Sequence, residues 1–362
     1  MRRARPHPDV RPAMANIQKY LIQFHDAIRL ADENETLREK RDIVLDKLKT
    51  GLAQLREDGV TVPSFSSFGQ GSYSMGTGTV PLDRDYDIDH GIVFDLTKSD
   101  YEDPVEIKEW VYKALDGHTD RVELRRSCVT VYYHRDGESE YHVDLAVYAC
   151  AEKNGGTLYL AKGKLQSTDE HRVWEASDPR GLIEKVKTKF AGDDGRQFRR
   201  VIRYVKRWKD VRFPTDGNGA PTGIALTVLA LEEFAIVKSQ DPVANTVAYD
   251  DLASLERLLP RILARFSTTW TSEDGLHERL KVTLPVLPHN DLLARMTANQ
   301  MATLKSELED LLEAIRDAAK DIDEHSACKA MRKKLGDDFP VPDKSETAER
   351  RARAVTSGGS SA

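Results

Sequence analysis

Asp83-Arg84-Asp85-Tyr86-Asp87-Ile88-Asp89-His90-Gly91-Ile92-Val93-Phe94 decides how the rest of this chain is read. Acids occupy every odd position from 83 to 89, and in a strand those side chains share one face while Tyr86 and Ile88 share the other. Acid-rich stretches are more often solvated turns than functional sites. Here Ile88, Ile92, Val93 and Phe94 mark a buried strand instead, so Asp87 and Asp89 are carried to the edge of a core. Crowded carboxylates raise one another's pKa unless a cation neutralises them, and Mg²⁺ favours such oxygens together with phosphates. By strand alternation His90 turns away from Asp87 and Asp89 and is expected to be a packing or surface residue.

Downstream, Tyr141-His142-Val143-Asp144-Leu145-Ala146-Val147 places Val143, Leu145 and Val147 on one apolar face and Asp144 on the other. One acid on a strand face is commonly just exposed, so Asp144 gains weight only from its companions. Cys128 to His134 alternates as well, and Arg135-Asp136-Gly137-Glu138 between the two runs signals a hairpin of antiparallel neighbours. Upstream, Gln70-Gly71-Ser72-Tyr73-Ser74-Met75-Gly76-Thr77-Gly78-Thr79 is rich in small residues that let the backbone approach a phosphate, with Ser72 able to hydrogen-bond it.

Outside this middle sheet the periodicity is helical. Two helices are expected over 17–30 and 35–56, the second carrying Leu37, Val44, Leu45, Leu48, Leu52 and Leu55. Beyond Asp178 helices are expected over 181–190, 196–211, 223–238, 248–267 and 292–322. Phe198, Val201, Ile202, Val205 and Trp208 form the buried stripe of the second of these, with Arg199, Arg203 and Lys206 along one flank. Such a flank is usually solvated. Lys206, however, lies at the edge of the stripe, where its ammonium can reach a triphosphate.

A chain of 362 residues is long enough for two lobes and a cleft between them, because single cores usually stop growing below that size. With 40% hydrophobic and 31% charged residues it is not disordered throughout, and a net charge of −6 argues against a surface built to coat nucleic acid. Cys128, Cys150 and Cys328 have no zinc-like or disulfide-framework spacing, which fits a reducing cytoplasm. The most apolar segment, 224–237, is interrupted by Glu232 and Glu233, so no membrane span is expected, and the basic start is not followed by a signal-peptide apolar run.

The Gly-Ser loop placed just before an Asp-x-Asp strand resembles the active site of polymerase-β-like nucleotidyltransferases. Within that superfamily the sequence is most similar to the cGAS/DncV-like nucleotidyltransferases of bacterial anti-phage (CBASS) signalling. Trp174-Glu175-Ala176-Ser177-Asp178-Pro179, the basic helix 198–209 and Pro221-Thr222-Gly223-Ile224-Ala225-Leu226 carry the same resemblance, which spans roughly 69–231. It implies an α+β fold: a polymerase-β-like core, with a mixed or antiparallel sheet and helices, joined to a C-terminal helical lobe around a central active-site cleft. The expected division is N-terminal helices at 1–60, with a spine helix packing on both lobes, a catalytic core at 61–190, a helical domain at 191–338 and a flexible tail at 339–362.

The same resemblance implies an enzyme that joins nucleoside triphosphates into a cyclic di- or trinucleotide second messenger and releases pyrophosphate. Asp87, Asp89 and Asp144 would be the catalytic and metal-holding residues, with two Mg²⁺ ions, or Mn²⁺ in their place. Gln70, Gly71, Ser72, Arg203, Lys206 and Thr222 would bind the nucleotide. ATP or GTP are the expected substrates, with pyrimidine nucleotides also open. Conjugation of the small C-terminal residue Ala362 by a ubiquitin-activating-like ligase is left open by the resemblance, while the residues alone favour a simple disordered end. Two alternatives remain. Superfamily members also modify RNA ends or small acceptors, and a silent nucleotide-binding module would lack at least one carboxylate, whereas all three are present. No Cys/His zinc cluster or continuous basic arm is present, so long double-stranded DNA is not an expected activator.

Overall fold

The computed structural model describes residues 15–30, 35–135, 138–152, 155–213 and 219–344. The expected Asp136-Gly137 turn, the basic start and residues 345–362 of the expected tail lie outside them, whereas Phe339, at the start of that tail, is buried in the helical core against Phe24. Helices α1 (Gln18–Ile28) and α2 (Glu35–Glu57) open the described chain, and they serve different cores. Tyr20, Leu21, Phe24 and Ile28 of α1 are buried with the C-terminal helices, while Leu37, Val44, Leu48 and Leu52 of α2 are buried against the sheet.

The sheet is built from β1 (Phe65–Gly69), β2 (Tyr86–Thr97), β3 (Arg121–Leu124), β4 (Val129–Arg135), β5 (Glu138–Glu152), β6 (Gly155–Lys162) and β7 (Val173–Ser177). A single turn, α3 (Gly71–Ser74), follows β1, and α4 (Pro104–Leu115) follows β2. Strands run in the order β1-β2-β5-β4-β3, with β6 continuing beside the far half of β5 and β7 beside β6. The sheet is mixed: β2 and β5 are parallel, and the other pairings are antiparallel. Parallel neighbours need a crossover, which α4, β3 and β4 supply. Asp103 starts α4 by accepting the Val105 N–H at 2.9 Å, with Pro104 in the first turn where it loses no helical bond. The expected β4–β5 hairpin partners are antiparallel neighbours.

The second half contains α5 (Pro179–Thr188), α6 (Gly192–Arg212), α7 (Gly223–Glu233), α8 (Asp251–Leu263), α9 (Ala298–Lys320) and α10 (Glu324–Leu335). Two hairpins fall largely between the expected helices and trim their ends at 238, 248–249 and 267: β8 (Lys238–Asp241) with β9 (Thr246–Tyr249), and β10 (Ser267–Thr271) with β11 (Gly275–Arg279). Each has a local cause. Asp250 caps the start of α8, which excludes residues 248–250 from it, and β10 is a run of Ser, Thr and Trp that suits a pleated strand better than a helix. The last long helix begins at Ala298, not Leu292, because Thr297 and Gln300 form a capping box.

Helix α6 is the axis of the helical core. Phe198, Val201, Ile202, Val205 and Trp208 are all buried, as their spacing predicts. Arg200 reaches the fully buried Asp251 through two contacts of 2.6 and 2.9 Å. The Tyr204 hydroxyl lies 2.8 Å from Leu21 O and 3.1 Å from Asp251 Oδ2. Phe24 stacks on Tyr204 at 5.6 Å, so α1 is tied to α6 by apolar area and by a satisfied polar network. Full burial of a ring such as Phe24 contributes roughly 1.5–3 kcal/mol. Among the described residues no helix is long and apolar enough to cross a membrane.

Candidate active site

Register sets the site. In the parallel β2–β5 ladder Asp87 lies beside His142 and Asp89 beside Asp144, so four side chains two residues apart on two strands meet on one face. Asp144 is held from the far side by β4. Thr130, directly opposite it, donates to Oδ1 at 2.6 Å, and the Cys128 thiol donates to Oδ2 at 3.3 Å. Burial, followed by the charge of Asp144, pushes the Cys128 thiol up to about 12, so it stays protonated and remains a donor.

The donor atoms of Asp87, His142 and Asp144 all lie within 4.8 Å of one another, an arrangement that could hold a metal ion. His142 Nε2 is 3.4 Å from Asp87 Oδ1, and Nδ1 is 3.1 Å from Asp85 Oδ1. Sequence reasoning misses His142, although it stands two residues before Asp144 and therefore on the same strand face. His90, by contrast, is a packing residue: it is buried, burial holds its imidazole down at about 4, and neither ring nitrogen finds a hydrogen-bond partner among the described residues.

Asp89 is positioned by the Gly-Ser loop. The Gln70 N–H donates to Asp89 O at 3.1 Å, and the Gln70 side-chain oxygen accepts the Tyr148 hydroxyl at 2.9 Å. Gly71 has φ +70°, and the Asp89 carboxylate packs where its Cβ would stand. A side chain at position 71 would therefore strain the backbone and displace the acid. Ser72 sits in the single turn α3, with its carbonyl accepting the Thr77 N–H at 2.9 Å.

These elements face a cleft of about 410 Å³. Gln70, Gly71, Ser72, Asp87, Asp89 and Tyr148 line it from the sheet side, and Leu182, Ile183, Lys206, Gly223, Ile224 and Thr227 from the helices. Six of the sequence-derived candidates thus share one cavity, and Asp144 adjoins it through Asp87 and His142. Arg203 and Thr222 do not line it. Arg203 is buried and donates to Gly78 O at 3.0 Å and Gly76 O at 2.6 Å, and exposed Thr222 caps α7 by accepting the Ala225 N–H. Both act on the framework of the cleft.

Charge crowding gives the site its character. Burial, then the charges of Asp144 and Asp85, raise Asp87 to about 7; burial, then Asp87 and Asp144, raise Asp89 to about 8. Half of the Asp87 side chain remains open to solvent, so water screens part of this repulsion. Lys206 Nζ donates to Thr77 O at 3.0 Å, and burial draws it down to about 8 despite the pull of Asp210 and Asp89. Hard oxygen donors that repel one another in a cleft fit a bound divalent cation, which would relieve the repulsion.

Residues 65–148 match the family described as Cyclic GMP-AMP synthase DncV-like, nucleotidyltransferase domain. The chain contains a DncV-like nucleotidyltransferase domain. The matched segment of this nucleotidyltransferase carries the loop 70–72, Asp87, Asp89, His142, Asp144 and Tyr148, whereas Lys206 and the helical wall lie beyond it. Among solved structures, Vibrio cholerae DncV in its GTP-bound form superposes with a TM-score of 0.63 at 17% identity, covering 90% of this chain and 96% of that one. Bradyrhizobium diazoefficiens CdnG in complex with GTP gives 0.62 at 14% identity, covering 94% and 99%. E. coli MS115-1 CdnC with ATP gives 0.61 at 16%, covering 89% and 98%. At such identities these likenesses establish the shared fold over nearly the whole length of both chains.

Lys206 and Arg203 neighbour each other on α6 but should respond differently to mutation. Lys206→Ala is expected to raise the apparent KM for nucleoside triphosphate about tenfold or more, since the ammonium lines the cleft, with a smaller loss of stability than at Arg203 because only one carbonyl, Thr77 O, loses its donor. Arg203→Met should instead cost on the order of 2 kcal/mol of stability, because it strips buried charged donors from two carbonyls. Steady-state kinetics and thermal unfolding on both variants check this. Identical profiles would show that the two side chains share one role.

Proposed function

We propose that this nucleotidyltransferase joins nucleoside triphosphates into a cyclic di- or trinucleotide and releases pyrophosphate, with Asp87, Asp89 and Asp144 as its catalytic carboxylates. The observation that carries the reading is their meeting on one sheet face, with Asp87 and Asp89 lining a single cleft beside the Ser72 loop and Asp144 adjoining it through Asp87. Two divalent ions bound there, Mg²⁺ or Mn²⁺, would stabilise charge on the attacking hydroxyl and on the departing pyrophosphate. Ser72 and the backbone of Gly71 hold the donor phosphates from the sheet side, and Lys206 neutralises them from the helical side. Tyr148, Leu182, Ile183 and Ile224 offer apolar surface for a base.

ATP and GTP are the first substrates to test, in line with the nucleotides bound to DncV, CdnG and CdnC. A defence signal made in the bacterial cytoplasm is the setting this product fits. Incubation with all four ribonucleoside triphosphates and Mg²⁺, followed by phosphatase treatment and mass spectrometry, tests the reading. A phosphatase-resistant cyclic product is expected. Linear extension of an added RNA, or transfer of one nucleotide to a small acceptor, would instead support the other superfamily chemistry.

Protein partners are a separate matter. CdnC has been captured in a complex with HORMA-deltaN. For the present chain the partner to test is a ubiquitin-activating-like ligase conjugating Ala362, which lies outside the described residues, against an end that is not conjugated. Co-expression with such a ligase, with and without the last few residues, decides this. Equal adduct patterns would remove the idea.

A further inference from the structure

We propose that His142 is a direct metal ligand of this site, giving it a nitrogen donor that favours Mn²⁺ over Mg²⁺. This rests on the nucleotidyltransferase reading of the same cleft and specifies which ion that cleft prefers.

Three observations carry it. His142 Nε2 and Asp87 Oδ1 are 3.4 Å apart, and adjacent donors on a six-coordinate ion with bonds of about 2.1 Å lie roughly 3 Å apart. Asp144 completes the set within 4.8 Å. The other ring nitrogen is already engaged, since Nδ1 lies 3.1 Å from Asp85 Oδ1. Donation from Nδ1–H to a carboxylate fixes the tautomer that leaves the Nε2 lone pair facing the ion, the usual support for a metal-bound imidazole.

This also gives Asp85 a purpose. It is the outermost acid of the alternating run to reach the site, and it acts on the ring of His142. The imidazole is mostly buried, and its ring centroid lies 5.8 Å from that of Tyr132, so its orientation does not depend on solvent. Mg²⁺ keeps to oxygen ligands and gives up water reluctantly, whereas a first-row transition ion accepts imidazole nitrogen readily. A site with one imidazole nitrogen among its carboxylates therefore shifts away from Mg²⁺ toward a first-row ion, and Mn²⁺ is the one that also suits carboxylate and water oxygens.

The experiment uses the full chain loaded with Mn²⁺ and read by pulsed electron paramagnetic resonance. Electron spin-echo modulation from a directly bound ¹⁴N is expected in the wild type and should change to the ¹⁵N pattern when histidine is ¹⁵N-labelled. His142→Gln should lose the modulation and weaken Mn²⁺ binding about tenfold or more, with a smaller change for Mg²⁺. Absence of nitrogen modulation in the labelled and unlabelled wild type overturns the proposal, and so does modulation unchanged in His142→Gln. Such a result would make His142 a bridge between Asp85 and Asp87 only. The wild-type measurement stands even if the variant folds poorly. Cyclic product formed without nitrogen modulation rejects the ligand and keeps the catalytic reading. Modulation without any nucleotide product does the reverse.

Discussion

Replacing Asp87 and Asp89 together with Asn is expected to lower pyrophosphate release by at least about 10³-fold, roughly 4 kcal/mol of transition-state stabilisation, while leaving the fold intact. The two carboxylates line the cleft and are not part of the buried apolar cores, so their loss removes charge at the reacting centre without opening a cavity. Stability should move the other way from activity. Both acids have pKa values raised on folding, to about 7 and about 8, by burial and mutual repulsion. Between about pH 4 and pH 8 the metal-free folded chain therefore binds protons that the unfolded chain has released, and its stability falls as pH rises through that window. The Asn pair removes this dependence. In EDTA the variant should melt at or above the wild-type temperature at pH 8, and the two proteins should converge near pH 4. Pyrophosphate release within a few-fold of wild type would rule out these acids as the catalytic pair.

The acidic strand was legible because two periodicities coincide in it: acids at odd positions and an apolar continuation that marks burial. Asp144 was legible by the same alternation. That Asp144 can meet the other two across a sheet was legible as well; the parallel register was not. The register that sets Asp89 beside Asp144 joins strands about fifty residues apart through a crossover, and nothing local specifies a parallel neighbour. His142 was in the quoted run, on the right face, yet its meaning depends on Asp85 and Asp87 standing next to it, which only the sheet reveals. Arg203 shows the converse failure. A basic residue on a helix flank reads as solvated, and here it is buried under Gly76 and Gly78, whose carbonyls come from more than a hundred residues upstream. The β8–β9 hairpin escaped detection because Lys238–Asp241 is exposed along its whole length, so no apolar alternation exists to read.

Gly71→Ala should be the most damaging single methyl addition near the site, with an expected fall in kcat of about 10²–10³-fold. Two costs combine at this position. The backbone has φ +70°, a conformation that costs a residue with a Cβ about 1–2 kcal/mol. The added methyl would also overlap the Asp89 carboxylate, and it would stand 2.5 Å from Asp89 Cγ and 2.7 Å from Asp89 Cβ. Because Cβ is one bond from the strand backbone, rotating the carboxylate aside cannot clear the overlap. Either the loop 70–72 retreats and takes Ser72 with it, or Asp89 is driven toward Asp87 and Asp144, where repulsion is already high. Both outcomes misplace a catalytic group, and a shift near 1 Å can cost about 10²-fold. Gly59→Ala separates strain from displacement: Gly59 has φ +89° with nothing within 4 Å of an added Cβ. It should lose a comparable increment of stability and retain wild-type turnover. Kinetics and unfolding of the two variants side by side decide the matter. If Gly71→Ala turns over like Gly59→Ala, the close fit of glycine against Asp89 does not set the geometry of the site.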